Sequence, residues 1–80
     1  MTVMQRHNRA KNLKFLRNRR GLTLKVLSEQ VGIPRGTLAT YESYGEGISQ
    51  ERLLKICEFF EISMETLDVD HTQFIKRFEP

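Results

Sequence analysis

Leu13 and Leu16, with Phe15 beside them, place apolar side chains on one side of a stretch running from about Asn8 to Arg20, and Gly21 follows as a helix stop. The pattern then repeats in shorter units. Thr23 is a good N-cap, and Leu22 before it and Leu27 after it stand in hydrophobic-staple positions. This predicts a second helix over Leu24 to about Val31, stopped by Gly32. Pro34 suits the first position of a third helix, where its missing N–H has no intrahelical partner anyway. That helix is expected to end near Ser43, with Gly45 free to turn left-handed after it. Ser49 caps a fourth helix through about Phe60 that buries Leu53, Ile56, Cys57 and Phe60, and Ser63 caps a short fifth one holding Met64 and Leu67. Asp70 caps a sixth segment with Phe74 and Phe78 four apart, although Val69 and Ile75 fit an extended tail equally well. No strand of period two and no repeat emerges, so the class expected is all-α.

Eighty residues make one domain. A chain this short buries only roughly 60–65% of the surface its unfolded form exposes, which argues against a large enclosed active site. The single cysteine, Cys57, has no partner for an internal disulfide, and with His7 or His71 it lacks the clustered spacing of a zinc site. No metal or cofactor is implied. No apolar run approaches the ~18 residues of a membrane span, and the charged start has no apolar signal core, so the expectation is a cytoplasmic protein. Charge is distributed unevenly. Residues 1–41 hold nine basic side chains against Glu29 alone, a net of +8, whereas residues 42–80 hold four basic and nine acidic, a net of −5. A basic half favours a polyanionic partner, and the plainer alternative is a solvated helix face.

Two short helices joined by a glycine-containing turn of about three residues make a helix-turn-helix, whose second helix is built to enter a DNA major groove. The run LKFLRNRRGLTLKVLSEQVGIPRGTLATYE, followed by SQERLLKICEFFEISMETL, resembles the Cro/phage-repressor (XRE-type) family of helix-turn-helix DNA-binding domains. Its carriers are LxxLR in the first helix, the GLT entry, an LxxxVG turn, YE closing the third helix, and LLKIC before EISMETL. The resemblance implies a compact five-helix, lambda-repressor-like domain over residues 9–68. Residues 1–8 are then a basic N-terminal arm, and residues 69–80 a tail or sixth element.

Family resemblance also assigns roles. Leu13, Leu16, Leu22, Leu27, Val31, Leu38, Leu53, Ile56, Phe60, Ile62 and Leu67 fall where the family packs its core, and Arg17 with Glu42 matches the ion pair joining the first helix to the end of the third. With Leu38 and Tyr41 turned inward, Arg35, Gly36, Ala39 and Thr40 face a groove. Arg35 can donate two hydrogen bonds to guanine, and Thr40 and Ala39 can meet a thymine methyl. Thr23, Lys25, Thr37, Ser43 and Tyr44 are candidates for phosphate contacts, as are Arg6 and Arg9 in the arm, with Lys11, Lys14, Arg52 and Lys55 beside them.

Three positions depart from the family pattern. Leu24 replaces the glutamine that follows GLT, Gly36 stands where a second reading side chain is usual, and Tyr44 occupies the usual glycine position, one place before Gly45. The resemblance further implies homodimers on paired half-sites, for which Phe74, Ile75 and Phe78 could supply a contact. The reading is a sequence-specific regulator of transcription, more readily a repressor, that binds double-stranded DNA. Two alternatives stay open: an antitoxin or mobile-element switch protein that also binds a regulatory protein partner, and a protein-interaction module presenting Leu24 and Val26. No nucleophile, carboxylate pair or phosphate-cradling loop can be assembled, so an enzyme is not expected.

Overall fold

The computed structural model describes residues 2–79. Six helices follow one another: α1 (Val3–Arg19), α2 (Leu24–Val31), α3 (Arg35–Tyr44), α4 (Gln50–Phe60), α5 (Met64–Leu67) and α6 (His71–Lys76). The fold is all-α, without a strand among the described residues. No helix is long and apolar enough to cross a membrane.

Local chemistry explains most boundaries. Thr23, Ser49, Ser63 and Asp70 each accept a backbone N–H from the first turn they precede, satisfying donors that the helix itself leaves free. Pro34 differs by one place from the expectation. It precedes α3 rather than opening it, because its ψ of 138° is extended, while its carbonyl already accepts the Leu38 N–H.

The start of α1 is a larger correction. Thr2 Oγ1 accepts from the Gln5 N–H and Gln5 Oε1 accepts from the Thr2 N–H, a reciprocal cap that begins the helix at Val3. Residues 3–8 are therefore the first turns of α1, not a free arm. They pack against the end of α3, where Gly45 adopts φ 73° and a methyl group in place of its hydrogen would overlap the Arg6 carbonyl. Only glycine lets the two backbones approach this closely.

Leu13, Leu27, Leu38, Ile56 and Leu67 are fully buried in one core, joined by Ile33 from the α2–α3 turn and by Phe74 from α6. Leu22 and Ile62 remain half-buried at its edge. Phe74 corrects the dimer-contact expectation: it is wholly inside its own protomer, and only Ile75 and Phe78 keep partial exposure. Residues 71–76 are a sixth helix lying on α1, where Phe15 meets the rings of His71, Phe74 and Phe78 at centroid distances of 6.4, 6.1 and 5.5 Å.

Two asparagines fasten this helix. Asn12 Nδ2 donates to the carbonyls of Leu67 (2.9 Å) and Val69 (2.8 Å), and its Oδ1 lies 2.7 Å from His71 Nδ1. One turn earlier, Asn8 Oδ1 accepts the His71 backbone N–H. Because Asn12 gives its amide hydrogens to carbonyls, its oxygen must accept, so His71 carries a proton on Nδ1.

Gly45→Ala is expected to cost at least about 3 kcal/mol in urea unfolding, adding left-handed strain to a backbone overlap. Gly21→Ala, also left-handed but facing open space, should cost only about 1 kcal/mol.

Candidate nucleic-acid interface

The α2–α3 turn is built from both sides of the chain. Gly32 closes α2 at φ 69°, Ser28 Oγ donates to the Ile33 carbonyl at 2.5 Å, and Ile33 itself is buried in the core. A turn pinned by an internal apolar side chain and a hydrogen bond holds α3 at a set angle to α2.

Arg17 then locks α3 from behind. Its Nε and Nη2 donate to the two Glu42 carboxylate oxygens at 2.7 and 3.0 Å, and its Nη1 donates to the Leu22 carbonyl at 2.7 Å. Both side chains are largely buried, at 12% and 6% exposure, so this is a structural clamp with no free face for DNA. Leu38 and Tyr41 complete the inward side of α3. Burial pushes the Tyr41 phenol up to about 12, against the opposing pull of the nearby Arg9 charge. Cys57 is buried and its thiol is likewise pushed up by burial, which leaves it a packing residue.

The opposite face of α3 is open. Arg35, Gly36, Thr40, Ser43 and Tyr44 are exposed along it, while Thr37 and Ala39 are half-buried. Arg35 has no ion-pair partner among the described residues. Gly36 has nothing within 4 Å of where a methyl group would stand, so the fold does not demand glycine there. Thr40 faces the loop after α3, its methyl 3.5 Å from the position a Gly47 Cβ would take. On α2, Lys25 is exposed, Leu24 half-buried and Val26 exposed, and the Thr23 hydroxyl is engaged as the helix cap.

A family model described as helix-turn-helix, of the Cro/phage-repressor type, matches residues 13–67, from the middle of α1 through α5. The chain belongs to this helix-turn-helix family. Neither a curated protein nor a solved structure gives a significant match. The protein is thus a DNA-binding helix-turn-helix regulator, from a family of regulatory DNA-binding domains rather than of enzymes. In this helix-turn-helix protein the match stops before α6, which extends the domain beyond the shared unit.

The basic half of the sequence contributes less free charge than its count promises. Arg6 pairs with Glu46 at 2.5 Å, and Arg9 grips Asp68 through both Nε and Nη2. Arg9 is thereby removed from the phosphate candidates, its guanidinium being held within the fold. Arg6 is weakly held, in a pair with 35% and 57% exposure, yet it sits on a helix turn and not on a mobile arm. Arg19 lies over the Phe78 ring, and Arg20 over Phe59 and Phe60. Lys11, Lys14, Lys25, Arg35, Arg52 and Lys55 remain without ion-pair partners among the described residues. The asparagine ladder of α1 escaped the sequence reading. Its signal was available: Asn8 and Asn12 fall on the buried stripe shared with Leu16, where a polar side chain needs partners.

Arg17→Ala or Glu42→Gln alone is expected to lower unfolding stability by about 3–5 kcal/mol, since each strands a largely buried charge. Replacing both with apolar residues, Arg17→Met with Glu42→Leu, should cost clearly less than the two single changes together, measured by urea denaturation.

Proposed function

We propose that the protein is a sequence-specific transcriptional regulator, a repressor, that reads the major groove of double-stranded DNA with residues 34–43. The observation that carries this is Arg35: exposed, without an ion-pair partner among the described residues, and in the first turn of a helix clamped from behind by Arg17. A guanidinium placed this way is preorganised to donate two hydrogen bonds to guanine O6 and N7. Thr40 and the half-buried Ala39 supply contacts to a thymine methyl. Gly36, which the fold leaves unconstrained, lets the α3 backbone come close to a base edge or phosphate. Thr23, Lys25, Thr37, Ser43 and Tyr44 take the phosphates, and Lys25 supplies the nearest free charge on α2.

The proposed working form is a cytoplasmic homodimer on paired half-sites. With Phe74 inside its own protomer, the C-terminal contribution to a dimer contact is reduced to Ile75 and Phe78, and Leu54 on α4, 45% exposed, is a further accessible apolar side chain. The reading as a protein-interaction module keeps one observation in its favour, the exposed Val26 beside Leu24; absence of duplex binding at low salt would select it.

Two measurements test the DNA reading. After selection of a preferred duplex from a random pool, Arg35→Ala is expected to lose about 1–3 kcal/mol on that duplex and little on a scrambled one across a salt series. Equal loss on both would make Arg35 a phosphate contact and sink the base-reading role. Gly36→Ala is expected to raise stability by about 0.5–1 kcal/mol, as an open helix-interior glycine should, while weakening DNA binding. Undiminished binding would remove the close-approach role.

A further inference from the structure

Helix α1 carries no acidic residue anywhere along its length. Lys11 and Lys14, one turn apart on its exposed side, therefore repel each other without relief, and neither has an ion-pair partner among the described residues. Together with Phe15, Asn18 and His71 they line a shallow groove of about 250 Å3 between α1 and α6. Its wall is aromatic, and the fixed charge on it is positive.

Helix α4 presents the counterpart. Leu54 is 45% exposed in the middle of a helix whose inward side, Leu53, Ile56, Cys57 and Phe60, is buried. Glu51 one turn before it and Glu58 one turn after it are exposed on the same face, and neither has an ion-pair partner among the described residues. Lys55 stands on the flank of this face, and the exposed Glu61 at the helix end keeps its balance acidic. An apolar side chain between two carboxylates is complementary to an aromatic groove that carries two ammonium groups.

We propose that these faces are the two halves of one contact between copies of this chain: Leu54 of one copy enters the α1–α6 groove of the next, against Phe15, while Glu51 and Glu58 meet Lys11 and Lys14. A second copy is the occupant because every copy brings both faces and leaves both unpaired within itself. The long lysine stems can lie beside the leucine while their ammonium groups reach the carboxylates. Such a contact is heterologous. A copy held through its groove still offers its own Leu54 face, so assembly continues into a chain or ring instead of stopping at a two-fold pair. Neither face draws on α2 or α3, and Ile75 and Phe78 stay available for a two-fold contact. Exposed ion pairs contribute little each and are screened by salt, so the association is weak and salt-sensitive. The inference rests on the fold and not on the DNA-binding reading.

Sedimentation equilibrium of the full chain at up to about 1 mM tests it without DNA. In about 50 mM NaCl the weight-average mass is expected to climb with concentration past two protomers, and about 500 mM NaCl should lower the association constant about tenfold. Lys11→Glu with Lys14→Glu should abolish growth beyond two protomers, and so should Glu51→Lys with Glu58→Lys. All four positions are exposed, and a melting curve checks that each variant folds. Exchanging all four removes two positive and two negative charges and returns two of each, so the net charge stays at +3 and growth should reappear. Leu54→Ser should weaken assembly about tenfold. The proposal is overturned if the mass stops at one or two protomers, if either paired reversal assembles like the parent, or if the fourfold exchange fails to restore assembly. Reversal at Lys11 and Lys14 that lowers duplex affinity but leaves assembly intact would make these lysines phosphate contacts and overturn it equally.

Discussion

One guanidinium holds three parts of this protein in register. Arg17 bonds both oxygens of Glu42 at the end of α3 and the carbonyl of Leu22 at the approach to α2. A planar fork of donors can do this where a single ammonium could not, because its nitrogens point in different fixed directions. The consequence is positional. The angle of α3 to α1 and α2 is set by a directional, charge-assisted contact in addition to the apolar packing of Leu38 and Tyr41, so the outer face of α3 is presented as a rigid surface.

The same economy of partners governs the remaining charge. Nine basic residues in the first half suggested a continuous polyanion-binding face, but the fold folds acidic residues of the second half back onto it: Glu42 on Arg17, Glu46 on Arg6, Asp68 on Arg9. Arg19 and Arg20 cover aromatic rings instead. Positive charge without such partners is concentrated in fewer residues, Arg35 and Lys25 on the helix-turn-helix among them. A protein arranged this way depends on where those few charges stand, and so on the clamp behind α3.

The first and last segments of the chain were the hardest to read locally. Residues 3–8 contain too little apolar periodicity to announce a helix, and their order comes from the Thr2–Gln5 cap and from Gly45, forty residues away, accepting their backbone at close range. Residues 71–76 were balanced between tail and helix. The balance was settled by Phe15 and by Asn8 and Asn12, whose amides fit backbone groups exposed only when the chain returns to α1. Neither outcome is encoded in neighbouring residues.

By itself the sequence determined the all-α class, the N-caps at Thr23, Ser49, Ser63 and Asp70, and the helix-turn-helix with its inward Leu38 and Tyr41, because capping and helical periodicity act over three or four residues. The family motifs lie within that same local grammar, and the match over residues 13–67 follows them. Tertiary structure alone decided which arginines are free, and why Gly45 cannot carry a side chain while Gly36 can. These depend on contacts between residues some twenty-five to sixty positions apart, as from Arg17 to Glu42 and from Arg9 to Asp68. Charge and side-chain type are written in the chain; which partner each one meets is fixed only when the helices pack.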